Sequence, residues 1–180
     1  MRIISGILKG RRLPVLKGNS TRPTTDFARE ALFNVIEHKK EIDQSTFLDL
    51  FAGTGAVSFE FISRGALNGI CVDMSQKTQV YRKQCIQQFE IENLASLRKD
   101  VFKFIPKCHQ KFDIIFADPP YQLKEISALP ELIFSFKLLN KNGLLIVEHP
   151  KEIDFSQEKH FIETRSYSTV HFSFFNNLEA

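Results

Sequence analysis

Four short strand-like runs each carry an aspartate within two residues of the carboxyl end: Asp49, Asp73, Asp100 and Asp118. That recurrence constrains the fold more than any other feature of the 180-residue chain. The spacing predicts strands over residues 47–51, 69–73, 97–98, 113–117 and 143–148, with helices over 56–64, 76–89 and about 124–139. Asn142-Gly143 reads as the turn from the last helix into the last of these strands. Strands separated by helices pair in parallel, because parallel neighbours need a long crossover, and the helices then cover both faces. The expected body is a doubly wound α/β sheet, which binds ligands at the carboxyl ends of its strands.

Both flanks depart from this rhythm. Residues 161–166 and 169–175 are strand-like with almost nothing between them, so they form an antiparallel hairpin. At the other end, 2–4 and 11–15 read as two short strands around a Gly6 to Gly10 turn, and 26–38 as a helix capped by Thr25. Residues 1–25 are therefore expected to be an extension docked on one domain, 26–180. Six of the 24 basic residues lie in that extension with no acid, leaving 18 against 21 acids in the remainder. A basic arm on a slightly acidic body fits a protein that grips phosphates at one end, and equally a solvated terminus.

Other classes fall away on composition. No run approaches the roughly 18 apolar residues of a membrane span, and charge follows Met1 too soon for a signal peptide, so a cytoplasmic protein is expected. Cys71, Cys85 and Cys108 lack C-x-x-C spacing and read as buried thiols. The five histidines have no ligand spacing, and no metal is expected.

Two constellations carry chemistry. Asp118-Pro119-Pro120-Tyr121 follows an apolar strand. Its prolines lack N–H donors and fix φ, which leaves rigid carbonyl acceptors beside a carboxylate and an aromatic face, a device for holding an amino group. The bland alternative is a rigid turn. Asp49-Leu50-Phe51-Ala52-Gly53-Thr54-Gly55 ends the first strand and opens a helix. Gly53 and Gly55 allow close approach of a ligand, but Ser58 stands at the third glycine position of a dinucleotide fingerprint and no P-loop lysine follows. Asp73 stands where such sheets place an acid for ribose hydroxyls; Asp100 could accept from an adenine amine, with Met74 and Val101 against the ring.

D-x-F-x-G-x-G, an acid after each of the next two strands and D-P-P-Y after the fourth together resemble the S-adenosylmethionine-dependent amino methyltransferases over about residues 47–150. Arg2-Ile3-Ile4-Ser5-Gly6, Gly10-Arg11-Arg12-Leu13, Arg22-Pro23-Thr24-Thr25-Asp26 and Arg29-Glu30-Ala31-Leu32-Phe33-Asn34 are similar to the RsmD family, which extends the resemblance to nearly the whole chain. Ser5 replaces a usual glycine, and the tail is short.

The resemblance implies a Rossmann-like class I methyltransferase with a seven-stranded, mostly parallel sheet of order 3-2-1-4-5-7-6 and a small N-terminal β-hairpin. It implies methyl transfer to the N2 amine of a guanine in 16S rRNA, by a monomer acting on a small-subunit assembly particle. Asp49, Phe51, Ala52, Gly53, Thr54, Gly55, Asp73, Met74, Asp100 and Val101 would bind S-adenosylmethionine. Asp118, Pro119, Pro120 and Tyr121 would be catalytic, with Tyr121 stacking on a flipped-out base while Asp118 and the Pro119 carbonyl accept its amine hydrogens. Arg11, Arg12, Arg22, Thr24 and Arg29 would contact RNA. A DNA adenine-N6 or cytosine-N4 methyltransferase, or an RNA-binding protein that keeps the fold without catalysis, are the alternatives.

Overall fold

The strand that carries Asp49 lies in the middle of the sheet. In the computed structural model, which describes residues 2–16 and 26–178, β1 (Thr46–Leu50) pairs in parallel with β2 (Asn68–Asp73) and with β4 (Phe112–Ala117). β3 (Leu94–Arg98) continues the sheet beyond β2, and β5 (Leu139–His149) beyond β4. The tail hairpin, β6 (Phe161–Tyr167) and β7 (Val170–Asn176), joins β5 through antiparallel β7. The order β3-β2-β1-β4-β5-β7-β6 is the one expected.

Strand alternation divides the core between the two faces of the sheet. Phe47 points to the side of α1 (Asp26–Lys39), α2 (Ala56–Ser63) and α3 (Gln76–Gln88), where it stacks on Phe61 at 4.7 Å, and Phe33 meets Phe61 edge-on at 4.8 Å. Leu48 and Leu50 point to the side of α4 (Val101–Phe104) and α5 (Leu129–Ser135). Nearly every residue of α2 is buried, because the helix is covered by the sheet on one side and by the N-terminal arm on the other.

The arm is less of a hairpin than its sequence predicts. Its strands reduce to one antiparallel bridge, Arg2 with Arg12, supported by Ile3 N–H to Arg11 O and Gly10 N–H to Ile3 O, each 2.9 Å. Four of its other donors turn to α2: Ile4 and Ser5 N–H reach the Glu60 carboxylate at 2.9 and 3.0 Å, Ile7 N–H reaches Ser63 O at 2.7 Å, and Leu8 N–H reaches Ser63 Oγ at 2.9 Å. The contact to Ser63 O satisfies a carbonyl that the end of α2 would otherwise leave open. Ile3, Leu8 and Leu13 are buried in the same core as α1 and α2.

Three expectations need correction. The helix over 124–139 is instead a 3₁₀ turn, Lys124–Ala128, followed by α5, because Pro130 has no N–H and its ring would strike the carbonyl four residues back. Asn142-Gly143 is not a helix-to-strand turn. It lies inside β5, in a bulge between the pairs Phe112/Leu139 and Ile114/Leu144, with Asn142 at φ 58°. Asn140 Nδ2 donates to Asp113 Oδ1 at 3.0 Å and ties the bulge down. Cys71 and Cys85 are buried as expected, whereas Cys108 is half-buried. Helix α4 was not anticipated.

Candidate active site

The carboxyl ends of β1, β2, β4 and β5 and the start of α4 lie side by side and bring the predicted residues together. β1 ends in a strained turn: Phe51, a bulky residue, adopts φ 61°, and Gly53 and Gly55 follow at φ 51° and 80°. Positive φ at a bulky residue costs of order 1–2 kcal/mol and persists where surroundings enforce it, often at functional sites. Here Ala52 N–H reaches Val72 O at 3.0 Å, Gly53 N–H reaches Asp73 Oδ2 at 3.0 Å, and Gly55 N–H reaches Ala52 O at 2.7 Å. Asp73 Oδ1 accepts from Ser75 N–H at 2.8 Å and Thr78 Oγ1 at 3.0 Å. Oδ2, with one donor, retains a lone pair for another.

Beneath the turn lies Arg82, fully buried and missed in the sequence reading. Its Nη1 donates to Gly53 O at 2.5 Å and Thr78 Oγ1 at 3.2 Å, and its Nε to Ser96 Oγ at 2.9 Å. Thr78, Arg82 and Cys85 follow at helical spacing on the buried face of α3, with Phe89 just past its end, which was the available signal. Asp49 is buried beside it and accepts a short hydrogen bond from Ser58 Oγ. Burial pushes the Asp49 carboxyl up to about 7, against the pull of Ser58 and Arg82. Asp49 thus supports the turn from below.

The turn suits a ligand rather than internal packing. A side chain at Gly53 would meet nothing closer than Phe51 O at 4.0 Å, so that space is open. Met74 is 70% exposed at the end of β2, an apolar face without cover. Asp100 is half-buried, with Oδ1 capping α4 through Lys103 N–H at 3.2 Å. Val101 is turned into the core, so of the expected pair of ring contacts Met74 is the accessible one.

At the end of β4, Asp118 N–H continues the ladder to Leu50 O at 3.2 Å. Leu123 N–H takes the Pro120 carbonyl at 2.8 Å to close the turn. Among the described residues no hydrogen bond reaches the Pro119 carbonyl, so it is Pro119 that presents a free rigid acceptor. The Tyr121 ring is 40% exposed, and its hydroxyl donates to Glu148 Oε1 at 3.0 Å.

Glu148 is the second residue the sequence reading missed. Ala117 pairs with Val147, which sets Asp118 and Glu148 next to each other on adjacent parallel strands. Burial pushes Glu148 up to about 7, against the hydrogen bond from Tyr121; burial and the Glu148 charge raise Asp118 well above the usual carboxylate range. The two carboxyls thus titrate as a pair, both shifted upward. His149 faces away from this pair, with Nε2 at 2.8 Å from Ser173 Oγ.

These carboxyls predict an unusual pH dependence. From about pH 4 to about pH 7 the folded chain keeps protons on Asp49 and Glu148 that the unfolded chain releases, so stability falls as pH rises and levels off above that window. The protein is expected to lose on the order of 2 kcal/mol per carboxyl between pH 5.5 and 8. Asp49→Asn should flatten the slope. A thermal midpoint that is flat or rising over that range contradicts the assignment.

The RNA-contacting residues divide. Arg11 and Arg12 are exposed, the former with its guanidinium 5.6 Å from the centre of the Phe89 ring. Arg29 is not a surface residue. Its side chain is 1% exposed, and Nη2 donates to Arg2 O at 2.6 Å and Asp26 Oδ1 at 2.9 Å, with Glu60 at 3.9 Å from Nε. It joins the arm, α1 and α2, and has no face to offer a phosphate. Arg22, Thr24 and the Thr25 cap lie outside the described residues. Among the described residues no group of three or more metal-ligating side chains occurs, and no helix is long and apolar enough to cross a membrane.

The chain matches the family model described as "Conserved hypothetical protein 95" over residues 1–176. It is 30% identical over 182 residues to ribosomal RNA small subunit methyltransferase D of Buchnera aphidicola, covering 99% of this chain and 92% of that one. The chain belongs to the RsmD family. The solved structure of yhhF from Escherichia coli superposes at a TM-score of 0.84 with 26% identity, over 98% of this chain and 97% of that one. SMU.776, solved as a complex with SAH, shares the fold at a TM-score of 0.68 with 18% identity, over 88% of this chain and 51% of that one. As an RsmD-family chain, the protein has the class I S-adenosylmethionine-dependent methyltransferase fold, and the open turn at Gly53 suits that cofactor.

Proposed function

We propose that the protein methylates the exocyclic N2 amine of a guanine in small-subunit rRNA, acting as a monomer on an assembling particle. The observation that carries this reading is the pairing of a free Pro119 carbonyl with the Asp118 carboxyl beside an exposed aromatic ring. Similarity to an rRNA methyltransferase over nearly the whole chain favours RNA over DNA.

S-adenosylmethionine supplies an electrophilic methyl group on a cationic sulfur. Asp73, Asp100, Met74 and the Phe51 to Gly55 turn would hold it. Tyr121 stacks on the flipped base, worth roughly 1–3 kcal/mol without choosing among bases. Asp118 and the Pro119 carbonyl accept the two amine hydrogens and draw the nitrogen lone pair out of conjugation. A cation at the site favours the ionised carboxyls, and their negative charge offsets the positive charge that grows on the amine. Asp118 then takes the surplus proton. Arg11 and Arg12 contribute phosphate contacts from the arm.

The test is incubation with methyl-labelled cofactor and either unmodified small-subunit particles or naked rRNA, followed by digestion and mass spectrometry. Label on guanine N2, stronger with particles, is the expected result. Label on adenine or on DNA alone overturns the assignment.

A further inference from the structure

We propose that Glu148 reads the N1–H of the target guanine and so selects guanine among the bases that carry an exocyclic amine. This rests on the assignment of the Asp118 to Tyr121 site to a nucleobase amine. The Glu148 side chain is 6% exposed, and its two oxygens are treated differently: Oε1 accepts from Tyr121, while Oε2 is buried with no hydrogen-bond partner. A buried acceptor without a donor is costly, and native structures rarely keep one without a use. A purely structural Glu148 would have both oxygens satisfied, as Glu60 does with Ile4, Ser5 and Arg64.

The strand register places Glu148 beside Asp118, the group assigned to the amine. Base chemistry supplies the missing donor. Guanine carries an N–H, at N1, directly next to the carbon that bears its amine. Adenine N1 and cytosine N3, the corresponding neighbours of their amines, carry lone pairs that a carboxylate repels. With Asp118 and Pro119 on the N2 hydrogens, Glu148 Oε2 accepts from N1, and a wrong base leaves a buried acceptor unpaired against a lone pair. Sites that recognise a substrate donor in this way reject analogues lacking it strongly. Tyr121 fixes the Glu148 carboxylate through its hydroxyl, which makes it a positioning residue for this contact as well as a stacking platform.

The test uses small-subunit particles reconstituted on rRNA that carries, at the mapped target, either guanine or 2-aminopurine, which keeps the amine but has a lone pair at N1. Methylation rate and competitive binding are both measured. The wild-type protein should favour guanine by about 100-fold, the cost of one buried acceptor left unpaired. In Glu148→Gln, whose amide can donate to N1 of 2-aminopurine, the preference should fall below about 10-fold, with the thermal midpoint maintained or raised. Tyr121→Phe, which keeps the ring but releases Glu148, should be slower and should also lower the preference, by less than Glu148→Gln does. Equal use of both bases by the wild type, or an unchanged preference in Glu148→Gln, overturns the role of Glu148 while guanine-N2 labelling stands. Label on adenine, cytosine or DNA overturns the amine assignment itself and this inference with it.

Discussion

Asp118→Asn is expected to lower kcat by about two to three orders of magnitude, while the Kd for S-adenosylmethionine changes by less than about threefold. The amide keeps the shape of the side chain and one acceptor oxygen, so the substrate amine can still dock. It loses the negative charge that offsets the cation growing on the amine. The same substitution removes the repulsion between Asp118 and Glu148. Where both would otherwise ionise, the variant should therefore be more stable than the wild type, by about 1 kcal/mol, an activity-for-stability exchange common at active sites. Single-turnover rates, cofactor titration and thermal unfolding at pH 8 test the three parts. A variant as active as the wild type would refute the proposed chemistry.

Gly6→Ala should cost at least about 3 kcal/mol of stability or release the N-terminal arm. A Cβ at Gly6 would lie 1.7 Å from Ser63 O and 2.2 Å from Ser63 C, at φ 79°. Both atoms are backbone at the end of α2, and Ser63 O is the acceptor for Ile7 N–H, so neither side can yield without breaking the dock. Ile3, Leu8 and Leu13 lose their burial with it, each worth roughly 1.5–3 kcal/mol. Gly10 provides the control: it has nearly the same φ, 81°, with nothing within 4 Å, so Gly10→Ala should cost only about 1–2 kcal/mol. Urea unfolding separates the two, and limited proteolysis reports release of the arm. If the arm carries the RNA contacts, Gly6→Ala should retain cofactor binding and lose RNA affinity. Equal costs for the two alanines would show that the arm is not held through Ser63.

The division between what was legible and what was not follows particular residues. The alternation of strands and helices, the tail hairpin and the chemical type of Asp118-Pro119-Pro120-Tyr121 were legible, because periodicity and proline chemistry are local. The 3₁₀ turn before Pro130 was legible in principle, since the proline is in plain view. The β5 bulge was not, because Asn142-Gly143 suits a turn as well as a bulge and only pairing with β4 decides between them.

Local sequence by itself determined the order and kind of elements, and hence a sheet with its acids at one edge. Tertiary structure decided what the charged groups do. Arg29 reads as a phosphate ligand until Arg2, Asp26 and Glu60 enclose it. Glu148 reads as an ordinary strand residue until the register places it 30 positions away from, yet beside, Asp118. Burial and neighbouring charge set whether a carboxyl is ionised, shared or left waiting for a donor, and those neighbours come from distant parts of the chain.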